Sequence, residues 1–135
     1  MHKNKTIATL LAATLGTAGI HRLYLRGARD GLAWMHLALL ALTAILLMSL
    51  PNINLFYRLL PLIASMIAGF LQALVLGVTP DEKFDAAFNP RSGGRSDSRW
   101  PLALLLVATM LVGATVLIST MARLFDLLYT GGAYG

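Results

Sequence analysis

Three stretches of this chain, residues 31–50, 59–78 and 102–122, contain no Asp, Glu, Lys or Arg. Each is 20 or 21 residues long. At about 1.5 Å per residue, a helix of that length crosses a hydrocarbon core about 30 Å thick. Lipid offers the backbone no hydrogen-bonding partners, so segments of this kind must satisfy their own amides as helices. The chain is therefore all-α, a polytopic membrane helical bundle with three full transmembrane helices. Composition agrees: 57% of the 135 residues are hydrophobic and 13% are charged, against about a quarter charged in soluble domains. The absence of cysteine excludes disulfides, thiolate metal sites and cysteine lipidation.

A fourth hydrophobic segment precedes these three and is too short to match them. Residues 7–20 would make a helix of only about 21 Å. Lys3 and Lys5 before it, and "GTAG" at its end, imitate a secretory signal, but the residues after it do not read as a mature secreted domain. Two retained forms are open: a short fourth span, or a half-helix that returns to the side it left. Basic residues accumulate in cytoplasmic loops. Four spans would divide the Lys and Arg residues four against seven, whereas a returning segment divides them nine against two. The charge pattern therefore favours a re-entrant helix, with the N-terminus cytoplasmic and the C-terminus outside. Ala8, Ala12 and Gly16 recur at four-residue spacing and form a face that allows close helix packing.

The stretch "KTIATLLAATLGTAGIHRLYLRGARDGL" resembles the opening of the TM2 domain family of small integral membrane proteins. Lys5, Leu15, Gly16, Gly19, His21, Arg22, Tyr24, Leu25 and Gly31 carry the resemblance. Leu23 stands where the family usually has Phe. The later "ALVLGVTPDEKFDAAFN" is similar to the polar tail that follows the family's last helix, so the resemblance runs over about residues 5–89. Gln72 lies near where that helix often has an acidic residue. The resemblance implies a membrane module and no particular chemistry. The motif residues are Gly16, Gly19, His21, Arg22 and Tyr24, and His21 reads as an anchor of the turn that donates to free backbone carbonyls.

The remaining sequence gives local expectations. Asp30 can cap the helix that begins at Gly31. His36 lies within a span, and with Gln72 it forms the pair of buried polar residues expected to face the bundle. Ser65, Gly69, Ala73 and Gly77 recur every fourth residue and predict a tight helix–helix contact; whether the partner lies in the same chain or another copy is open. Pro61 falls in the first turn of its window. Thr79, Pro80 and Glu82 resemble a capping box opening a short interfacial helix near 80–88. The organisation is a membrane domain over 1–89, a flexible polar linker over 90–99, and an additional transmembrane helix with a short tail over 100–135. Arg22, Arg26 and Arg29 form a basic cluster expected to meet anionic lipid headgroups.

No nucleophile–base pair, metal-ligand spacing or phosphate cradle occurs, so the expectation is a protein that is not an enzyme and takes no cofactor, catalytic group or metal. Net charge is +5, but the basic residues flank membrane spans, which points to lipid and orientation and not to nucleic acid. The expected role is a non-catalytic module of a cell membrane, the bacterial cytoplasmic membrane being the natural setting. It would act as a homo-oligomer or with a membrane-protein partner. The alternative is an oligomeric pore or a component of small-solute or ion transport.

Overall fold

The computed structural model describes residues 1–134. Six helices follow in order: α1 (Lys5–Leu15), α2 (Ile20–Arg26), α3 (Gly31–Ser49), α4 (Leu55–Val78), α5 (Asp81–Phe88) and α6 (Trp100–Thr130). Single 3-10 turns occupy Gly16–Ala18 and Gly27–Arg29. Of these, α3, α4 and α6 are long and apolar enough to cross a membrane.

The first segment returns. Asn4 caps α1 by accepting from the Ile7 amide at 3.1 Å. The helix stops at Gly16–Gly19, where Gly19 takes φ +70° and reverses the chain. A side chain at Gly19 would be strained by that φ, and its Cβ would lie 3.0 Å from Cβ of His36. α2 then climbs back beside α1. At the top, the Asn4 amide donates to the Tyr24 hydroxyl at 2.9 Å, and the Lys3 ammonium donates to the Leu25 carbonyl. The two ends of the hairpin are therefore at one level, which is the re-entrant form.

The four small residues of α4 are all buried, and their partner is within the chain. Gly69 meets Ala12 of α1 and Gly16 of the turn that follows it, and Ser65 donates to the Thr17 carbonyl of that turn; Ala73 is buried, as are Ala8 and Ala12 of α1. At Gly69 the two backbones nearly touch: a Cβ there would lie 2.9 Å from the carbonyl carbon of Gly16 and 3.2 Å from the Ala12 carbonyl oxygen. Gly77, two turns beyond Gly69, faces Leu106 of α6. α4 is thus the axis of the fold. It presents Ser65 and Gln72 to α3, and on its opposite side Ile67, Phe70, Leu71 and Leu74 border α6.

Three local expectations are corrected. α4 begins at Leu55, so Pro61 lies inside the helix and not in its first turn. α5 has no capping box: its N-cap is Pro80, and the Thr79 hydroxyl instead donates back to the Val75 carbonyl at 2.5 Å. α6 continues well past residue 122; its 31 residues extend about 46 Å, more than a hydrocarbon core requires. The Asp30 cap is as expected, its carboxylate accepting from the Leu32 amide at 2.9 Å.

Candidate functional site

A chain of polar side chains runs through the bundle where α2, α3 and α4 meet. Gln72 is its centre. Its Oε1 accepts from His21 Nε2 at 2.6 Å and from Arg22 Nε at 2.7 Å. Its Nε2 donates to His36 Nε2 at 3.0 Å. On the other edge of the imidazole, His36 Nδ1 meets Ser65 Oγ at 2.6 Å, and Ser65 donates to the Thr17 carbonyl at 2.7 Å. His21, His36 and Ser65 are completely buried.

These contacts fix the tautomers. The amide nitrogen of Gln72 can only donate, so His36 Nε2 is the bare acceptor and Nδ1 carries the proton given to Ser65. The carbonyl oxygen of Gln72 can only accept, so His21 carries its proton on Nε2. Both imidazoles are then neutral, as a site without carboxylate partners at hydrogen-bond distance requires. His21 Nδ1 is left buried with no partner among the described residues. Arg22 also reaches Asp30 at 3.4 Å, so the α3 cap and the network share one guanidinium.

The sequence pointed to most of these residues one at a time. His36 and Gln72 face the bundle and bond each other. His21 departs from expectation: it donates across to a side chain of α4 and not to carbonyls of its own turn. Tyr24 packs against the small apolar cluster of Ala8, Leu25 and Phe84 while its hydroxyl receives the Asn4 amide. The three arginines do not form one patch. Arg22 turns inward, the exposed Arg26 lies with its guanidinium 5.6 Å from the Phe88 ring centre, and Arg29 is exposed.

Lys5, one of the residues that carry the resemblance, has a buried role that reading along the chain did not anticipate. It is 95% buried, and its ammonium donates to Asp81 at 2.9 Å, to Ser98 at 3.1 Å and to the Thr79 carbonyl. The available signal was its position just before an apolar run, which is equally the mark of an orienting charge. A second tie lies beside it. Asn89 brackets Lys3, accepting from its amide at 2.7 Å and donating to its carbonyl at 3.0 Å. Residues 90–99 hold no helix, yet serines anchor them: Ser96 donates to Asp85 through its amide at 2.7 Å and its hydroxyl at 2.6 Å. Those donors, with Asn89, hold the Asp85 carboxyl at about 2, below the usual range. Asp81 is lowered too, chiefly by Ser98 and then Lys5.

Among the described residues no group of three or more His, Asp or Glu side chains is placed to hold a metal ion. The arrangement is a multi-pass helical membrane protein whose re-entrant N-terminal hairpin is fastened to α4 through Gln72 and Ser65, and to α5 and the segment after it through Lys5 and Lys3. Residues 1–50 match the TM2 domain model, so this stretch is similar to the TM2 domain. The match covers the hairpin and α3; it ends before α4, so the resemblance read further on, to residue 89, lies outside it. Two positions central to the network, Ser65 and Gln72, also lie outside the matched residues. No curated protein and no solved structure matches the chain.

Proposed function

We propose that this protein is a non-catalytic membrane module that assembles, with itself or with partner membrane proteins, through the outward faces of α3 and α6. The open arrangement of the spans supports this reading. α3 and α6 pack on opposite sides of α4 and share no substantial contact. Each leaves a broad apolar surface uncovered, including Met35, Leu42 and Ile45 on one and Val107, Leu111 and Ile118 on the other. The small-residue stripe of α4, by contrast, is occupied within the chain and is not offered to a second copy.

The N-terminus and residues 81–99 belong on the cytoplasmic side. Nine of the eleven Lys and Arg residues lie on that side, with only Arg58 and Arg123 beyond the other end of the spans. The test is native mass spectrometry of protein released from its own membrane, paired with solute and ion flux in reconstituted vesicles. A stable homo-oligomer or a stoichiometric partner without flux is expected. A lone monomer with no partner, or flux carried by purified protein, would overturn the reading; the second result would favour a pore.

A further inference from the structure

Between α2, the end of α4 and α5 lies a crevice of about 300 Å³. α2 lines it with Arg22 and Arg26 beside Leu25, and the end of α4 and α5 complete it with mainly apolar residues, Val75, Leu76, Ala87 and Phe88. No carboxylate lines it among the described residues. Arg26 has no acidic partner among them and is held only over the Phe88 ring. Arg22 commits Nε to Gln72 and touches Asp30 with Nη1 at the long distance of 3.4 Å, so its second amine is unengaged. Two guanidinium groups lining one crevice together with Val75, Leu76, Ala87 and Phe88 match an anion that carries a hydrocarbon chain.

We propose that this crevice binds one anionic phospholipid, with its phosphate held by Arg22 and Arg26 and the upper part of a chain against Leu76 and Phe88. The chain leaves the crevice over Val75 and Leu71, which are 63% and 58% exposed and lie one turn apart on α4. Leu71 in turn borders the wholly apolar groove between α4 and α6, so the path continues along the protein. A free phosphate ester would use the arginines but leave the apolar lining uncovered. The site thus differs from a diffuse attraction of basic loops to a charged surface: it holds one lipid, and Arg29 is not part of it.

The test is native mass spectrometry of the full chain, released from nanodiscs containing equal phosphatidylglycerol and phosphatidylcholine of identical chains. The wild type should retain a single phosphatidylglycerol in preference to phosphatidylcholine. Arg26→Gln should weaken that retention about fivefold or more, and Ala87→Trp, which fills the crevice from an exposed position, should weaken it similarly. Arg29→Gln should leave it unchanged, and millimolar glycerol phosphate should not displace the lipid. Unaltered retention in both Arg26→Gln and Ala87→Trp would overturn the proposal. So would an equal loss in Arg29→Gln, or displacement by glycerol phosphate, which would make the site one for soluble phosphate esters.

Discussion

Replacing Gly69 with alanine sets two effects of opposite sign against each other. In a helix exposed to its surroundings, Gly→Ala stabilises by about 1 kcal/mol, because glycine has more backbone freedom to lose. At Gly69 the new methyl would meet backbone atoms of Gly16 at 2.9 and 3.0 Å and the Ala12 carbonyl oxygen at 3.2 Å. None of these can swing aside as a side chain could, so α1 and α4 must separate by about half an ångström or more. Overpacking of this kind costs about 1–3 kcal/mol. The separation also lengthens the bond from Ser65 to Thr17 and strains His21 on Gln72, because both cross between α4 and the hairpin. The expected outcome is a net loss of about 1–3 kcal/mol despite the helix-propensity gain, and a larger loss for Gly69→Leu. Unfolding in mixed micelles, followed by the fluorescence of Trp34 and Trp100, measures it. Gly16→Ala should behave alike, and the double variant should cost less than the two singles together, since one separation relieves both clashes. A Gly69→Ala protein as stable as wild type, or more so, would refute the backbone contact.

Ser65→Ala removes the acceptor for His36 Nδ1 and the donor to the Thr17 carbonyl, and should destabilise by about 1–3 kcal/mol in the same assay. Gln72→Leu strands Arg22 and His21 as well and should cost more, with Leu71→Ala on the outer face as the mild control. The Asp85 tie should be sensitive to acid in one direction: its lowered pKa gives stability that is complete above the normal carboxylate range and is lost as pH falls from about 4 toward 2. Amide exchange at Ser96 should accelerate over that interval, and Asp85→Asn should flatten the profile. Cysteines placed at positions 3, 27 and 94 should share one labelling pattern in sealed vesicles, and a cysteine at 132 should show the opposite; labelling of position 27 from the far side would exclude the re-entrant hairpin.

The spans were legible because charge exclusion from hydrocarbon is a strong, local constraint, and 31–50 and 59–78 coincide closely with α3 and the body of α4. The return of the first segment could be read from the distribution of Lys and Arg, a sum over the whole chain to which each residue adds little. The polar network was legible only in pieces. His36 is conspicuous because it is ionisable within a span, but nothing local says that Gln72, 36 residues later, donates to it. Ser65 was read as a packing residue because small size and hydroxyl chemistry look alike in a four-residue repeat; it does both. The anchoring of residues 90–99 was hidden for a related reason. Ser, Gly and Arg compose flexible linkers, and the same serines become caps for Asp81 and Asp85 once α5 lies alongside.

The contact of Gly16 with Gly69 also sets a schedule. The two glycines are 53 residues apart in the chain, so at about 5–20 residues per second the second is made about 3–10 s after the first. During that interval α1, whose 11 residues reach only about 16 Å, has α2 beside it but lacks the α4 face that meets Gly16 and Ala12, and it is too short to cross the bilayer by itself. The contact that fixes α1 is therefore completed only after α4 has been made.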